Sequence, residues 1–140
     1  EKTLMIIKPN VMQSKMEFVL LDKLSSLGFT VNSFSRKRFD VQIWQEFYIE
    51  QKDKSFYQDM CKYFASQIVG VVFLEKQNAI AELREIIGKT DPAECSPNQL
   101  RYVFGRSKEH NGIHASDSKQ SYDRERKILF ELAQMQNREN

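Results

Sequence analysis

Residues Ile68 to Glu75 read IVGVVFLE, an apolar run rich in β-branched side chains. Such side chains suit a pleated strand. The apolar part, Ile68 to Leu74, is far short of the ~20 residues of a membrane-spanning helix. Two helices precede this strand, Val41 to Lys52 and Phe56 to Ser66, parted by the charged turn Gln51–Ser55. Before them, Phe29 to Phe39 alternates, with Phe29, Val31 and Phe34 set against polar neighbours, and reads as a strand with a charged end. From Met16 onward Leu20, Leu24 and Leu27 recur at helical spacing, with Gly28 as the stop. Thr3 to Ile7, TLMII, is a further strand halted by Pro9. On the other side of the central strand, Asn78 to Ile87 reads as a helix closed by Gly88. Ser96-Pro97-Asn98-Gln99 reads as a helix start, with Ser as N-cap, Pro at the first position and Gln three residues on, for a short helix ending at Gly105. Asn111 to Ser118 is a loop or short strand, and Arg124 to Met135 a closing helix that begins a turn or more earlier. Strands that do not alternate regularly with single helices predict an α+β fold on an antiparallel sheet, not a doubly wound parallel one.

The 140 residues predict one domain over 1–140. Twenty-one Lys and Arg against 19 Asp and Glu leave a net charge of +2, which excludes binding of nucleic acid by bulk charge. Cys61 and Cys95 are too few for a disulfide framework and lack metal-ligand spacing, so they read as reduced thiols of a cytoplasmic protein. No secretory leader is legible after Glu1.

The chain lacks G-x-x-x-x-G-K-[ST], G-x-G-x-x-G and G-x-S-x-G; its five glycines are scattered. Any phosphate must therefore be held by side-chain cations. The unusual segment is Asn111–Ser118, NGIHASDS, which holds one of the two histidines. His110, His114 and Asp117 would share a face as metal ligands if the segment were helical, and Asn111-Gly112 argues against that. A Ser116/His114/Asp117 triad asks neighbours in sequence to converge, whereas triads assemble from separated segments. An imidazole acting alone as nucleophile stays open, because a free pKa of ~6.5 leaves much of it neutral at pH 7. A surface histidine in a turn stays open as well.

NGIHASDS resembles the N-x-x-H-[GA]-S-D signature of nucleoside diphosphate kinases. Lys8-Pro9-Asn10 resembles the family's K-P-D, and FYIEQKDKSFY (Phe47–Tyr57) its H-Y-x-x-x-x-x-x-x-F-[FY]. REIIGKTDP (Arg84–Pro92) is similar to R-x-[ML]-x-G-x-T-[ND]-P, and SPNQLR (Ser96–Arg101) to P-x-[ST]-[IL]-R. Glu125 follows His114 by eleven residues, as in the family. Asn10, Ser14-Lys15-Met16, Ser66-Gln67-Ile68 and Tyr102-Val103 depart from the family pattern. So does the short tail, which offers Leu132, Ala133 and Met135 to a neighbouring subunit.

The resemblance implies a ferredoxin-like α+β fold, a four-stranded antiparallel sheet flanked by helices. It implies ping-pong transfer of the terminal phosphoryl group from a nucleoside triphosphate to a diphosphate, through phosphohistidine on His114. Glu125 would orient the ring, and Tyr48 would bond the ring or the phosphate. Arg84, Thr90 and Arg101 would hold phosphates, Phe56 would stack on the base, and Lys8 and Asn111 would bond ribose hydroxyls. Mg²⁺ would bridge the phosphates with little direct protein ligation. From spacing alone, Glu125 lies three residues after Tyr122 and four before Leu129, on a helix face shared with apolar groups. The expected partners are nucleoside di- and triphosphates and further copies of the chain, with neither membrane nor specific nucleic acid. The alternative is a divergent nucleotide-binding or scaffold domain with weak or no turnover, and the complete set of site positions favours the enzyme. An RNA-recognition domain lacks its motif here, since neither SFSRKRF nor VGVVFLE fits.

Overall fold

The computed structural model describes residues 1–132. Four strands, β1 (Lys2–Ile7), β2 (Thr30–Lys37), β3 (Val69–Glu75) and β4 (Ile113–Ala115), form one sheet in the order β2-β3-β1-β4. Every neighbouring pair is antiparallel, with Met5 opposite both Val72 and Ala115, and Ile6 opposite His114. This is the antiparallel α+β sheet that the order of elements predicts, in the ferredoxin-like form that the resemblance implies. β1 is central, so Thr3 to Ile7 are all buried and the strand reads as a run rather than an alternation. Its period of two still sorts side chains into two cores. Met5 and Ile7 face one apolar cluster; Leu4 and Ile6 face the other.

The first cluster is covered by α1 (Pro9–Gln13), α2 (Glu17–Ser26), α5 (Ala79–Ile87) and α6 (Leu100–Phe104), which contribute Val11, Leu20, Leu24, Leu83, Leu100 and Phe104. The second is covered by α3 (Val41–Phe47), α4 (Tyr57–Ala65) and α7 (Lys119–Lys127), through Trp44, Phe47, Phe64 and Tyr122. A π-helical turn, Ile128–Leu132, continues α7. The expected end of that helix at Met135 lies outside the described residues, as do Ala133 and Met135 as assembly surface.

Several local expectations are corrected. Pro9 halts β1 but also opens α1, where its missing N–H costs nothing. The β2 pattern skips from Val31 to Phe34 because a bulge between Val31 and Ser33 adds one residue, which keeps Val31 and Phe34 on the first core. Ser96 does not cap α6, which begins at Leu100 after Gln99. Gln99 does reach back to accept the Ser96 N–H at 2.9 Å, so the expected contact closes a turn ahead of the helix.

The expected helix Val41–Lys52 stops at Phe47. Its last carbonyl accepts from the Arg124 guanidinium, and the chain continues as the 3-10 turn Ile49–Gln51. The departure at Asn10 also has a structural role. Its amide donates to the Phe104 carbonyl at 2.9 Å, which an ionised aspartate could not do.

Candidate active site

His114 occupies the middle of β4. Its neighbours Ile113 and Ala115 point into the first core, so the period of two turns the imidazole to the opposite face. The approach to β4 requires Gly112: its φ is +89°, and a Cβ there would sit 2.8 Å from the Phe104 carbonyl oxygen.

Ser118 caps the N-terminus of α7, its hydroxyl accepting the Ser121 N–H at 3.0 Å. One, two and three turns on, Tyr122, Glu125 and Leu129 are all buried. Glu125 Oε1 lies 2.8 Å from His114 Nε2, and the same oxygen accepts from Ser116 Oγ at 2.8 Å. Such a carboxylate fixes both the ring's orientation and its tautomer: a ring donating through Nε2 keeps its lone pair on Nδ1.

The ring is bounded by aromatic edges. Phe47 meets it at 5.0 Å between centroids and Tyr48 at 6.2 Å, both edge to face. Tyr48 packs nearly parallel to both Trp44 and Phe64, which also touch each other. Burial, with the Glu125 charge second, pushes its phenol above the ordinary range, so it remains a protonated donor.

One pocket joins His114, Glu125, Tyr48 and Arg84 with Phe47, Glu50, Gln51, Asp117, Ser121 and Arg124. Arg84 is largely exposed and reaches the Ala115 carbonyl at 3.4 Å.

The remaining cations are held from beneath. Arg101 is 7% exposed and donates to the carbonyls of Gly88 at 2.9 Å and Ile113 at 2.8 Å, while its Nε is buried without a partner. Desolvation, then the Arg84 charge, lowers its pKa. Lys8 precedes α1 and donates its backbone N–H to Gly112. Burial, followed by repulsion from Arg101, lowers its ammonium pKa to about 8. Asn111 donates to the Thr90 carbonyl at 3.1 Å and keeps a buried, unpaired Oδ1. Lys8, Arg84 and Arg101 lie close enough for their charges to act on one another, a cationic region suited to an anionic ligand.

Phe56 does not line the pocket with His114. It stands 49% exposed at the start of α4. Thr90 is exposed and is tied to the site through its backbone. His110 packs against Tyr63 at 5.4 Å, and Asp117 accepts from Ser121 Oγ at 2.5 Å. No group of three His, Cys, Asp or Glu side chains suited to a metal occurs among the described residues.

Sequence reasoning missed the role of Ser116, although a residue two beyond His114 on an extended chain faces the same way. Glu50 and Arg124 carried no local signal, because only packing brings their segments to the pocket.

The family model described as nucleoside diphosphate kinase matches residues 1–135. The chain is similar to the nucleoside diphosphate kinase of Methanocaldococcus jannaschii, with 34% identity over 130 residues and 93% of each chain covered. The solved Aquifex aeolicus nucleoside diphosphate kinase matches at TM-score 0.87 and 36% identity, over 93% of this chain and 94% of that one. The halophilic nucleoside diphosphate kinase of Halobacterium salinarum, solved in complex with CDP, matches at TM-score 0.87 and 26% identity, over 93% of this chain and 87% of that one.

Proposed function

Because the chain belongs to the nucleoside diphosphate kinase family, we propose that it passes a phosphoryl group between nucleotides through His114. The protein is a phosphotransferase of nucleotide metabolism. The observation that carries the assignment of His114 is its 2.8 Å contact with the buried Glu125, which leaves Nδ1 free for attack.

Nδ1 attacks the terminal phosphorus of a nucleoside triphosphate. The N–P bond forms as the P–O bond to the leaving diphosphate breaks, and the electron pair of that bond leaves with the diphosphate oxygen. Glu125 holds the proton on Nε2 and balances the positive charge the ring gains; Ser116 holds the carboxylate in place. A second diphosphate then attacks the phosphohistidine in the reverse sense. Arg84 and Arg101 stabilise charge that spreads over the transferred oxygens, with Tyr48 as a neutral donor. Thr90 takes part in holding phosphate, Lys8 and Asn111 bond the ribose, and Phe56 stacks on the base.

Glu50 and Asp117, which line the pocket together with Arg84, would hold Mg²⁺ through carboxylate oxygens, the ligand type that this ion takes. The ion would supply neutralisation of phosphate charge there. The CDP in the Halobacterium structure supports diphosphate as acceptor class.

The chain acts as one domain in the cytoplasm, a reading supported by its single sheet and two free cysteines. Among the described residues no helix is long and apolar enough to cross a membrane. A homo-oligomer is supported by exposed Phe18 and Val19 on α2, next to the end strand β2.

Incubation with labelled ATP alone tests the mechanism. An acid-labile, base-stable label on His114 that GDP discharges is the expected result. Persistent labelling of His114→Ala would show that another residue carries the phosphate.

A further inference from the structure

Arg124 is adjacent in sequence to Glu125 and absent from the set of residues that the motifs pick out. It projects from α7 to the end of α3, donating to the Phe47 carbonyl from Nη2 at 3.0 Å and from Nη1 at 3.5 Å. A carbonyl in the last turn of a helix lacks an intrahelical partner unless the helix continues. Here the sequence favours continuation to Lys52, yet Arg124 occupies the carbonyl, and the Gln51 N–H turns to Tyr48 instead in 3-10 geometry. A cation at a helix C-terminus is also favourable to the helix dipole.

The consequence falls on His114. Phe47 and Tyr48, the two residues at this forced helix end, are the two whose ring edges bound the imidazole. Glu125 grips the same ring through Nε2 from the next position of α7. One turn of α7 therefore sets both the hydrogen-bonded side and the aromatic wall of the ring.

We propose that Arg124 is a positioning residue: by ending α3 at Phe47 it seats Phe47 and Tyr48 against His114 and holds Nδ1 on the line of attack. The inference rests on His114 being the nucleophile. Arg124 acts through Phe47 and Tyr48 rather than on the nucleotide, so its loss affects the chemical step more than nucleotide binding. Trp44 packs on both Phe47 and Tyr48 and is the single tryptophan of the chain, so its fluorescence reports the seating directly.

The test compares the full chain with Arg124→Ala, Arg124→Met, which keeps the apolar stem without the donors, and Arg124→Lys, which restores a donor for one carbonyl. Rapid-quench phosphorylation by saturating ATP should slow about tenfold or more in the Ala and Met variants, as misplacement of a reacting group predicts. The KM for ATP should stay within about twofold in both. Trp44 emission should shift in these two variants, and Arg124→Lys should recover most of the rate. Wild-type phosphorylation rates in the Ala and Met variants, with label mapped to His114, would overturn this inference alone. So would a raised KM at unchanged kcat, which would make Arg124 a nucleotide contact. Label mapped to another residue in the unsubstituted protein would overturn the assignment of His114 and this inference with it.

Discussion

Arg101 donates through Nη2 to the carbonyl of Ile113, the residue before His114, at 2.8 Å. A phosphate-binding candidate and the candidate nucleophile are thus fixed to one piece of backbone. Arg101→Ala removes a cation and strands the buried carbonyl of Ile113 and the partly buried one of Gly88. Turnover should fall by on the order of 10²-fold or more. Stability should fall as well, by roughly 1–3 kcal/mol for each acceptor left unpaired. Steady-state assays and urea unfolding measure the two losses separately. Unchanged turnover in a folded variant would remove Arg101 from the phosphate site.

Glu125→Gln keeps the shape of the side chain and removes the charge beside Nε2. Phosphorylation of His114 by ATP should slow by about one to a few orders of magnitude, by analogy with other oriented histidines, at nearly unchanged fold stability. Ser116→Ala, which loses only one hydrogen bond to that carboxylate, should cost far less. Rapid-quench labelling ranks the two, and the reverse ranking would displace Glu125 as the orienting group.

Lys8 is charged below its lowered pKa of about 8 and neutral above it. kcat/KM, which reports the free enzyme, should decline above that pH, and Lys8→Arg should remove the decline. Stability has the opposite sign. Between about pH 8 and the ordinary value of 10.5 the unfolded chain holds a proton that the folded chain has lost, so this group makes stability rise with pH across that window. A pH-rate profile and unfolding at pH 7.5 and 9.5, each compared with Lys8→Met, check both directions.

Phe56 is half exposed, so Phe56→Ala should leave the melting temperature almost unchanged. Loss of base stacking, worth about 1–3 kcal/mol, should appear as a raised KM for every nucleotide at similar kcat. A loss of kcat alone would contradict the stacking role.

Much of the fold was legible because its signals are local. The run at Ile68–Glu75, the leucine spacing before Gly28 and the glycine after Ile87 express preferences of the backbone and of buried faces that neighbours in sequence already contain. The motif around His114 and the helical spacing of Tyr122, Glu125 and Leu129 were likewise readable. Residue order and motifs alone specify an antiparallel α+β sheet, membership of a phosphotransferase family and a histidine followed eleven residues later by a carboxylate.

Folding fixed where α3 stops, which oxygen of Glu125 serves both His114 and Ser116, and which polar atoms of Arg101 and Asn111 are buried without partners. It also decided that Ser96-Pro97 forms a turn rather than the start of α6, and that a bulge carries Phe34 back to the core face. These cases share one cause. A local pattern sets what a segment prefers. A hydrogen bond or bulge joining residues that are distant in sequence, such as Arg124 to Phe47, changes the outcome by an amount comparable to that preference, and its partner exists only once the chain has folded.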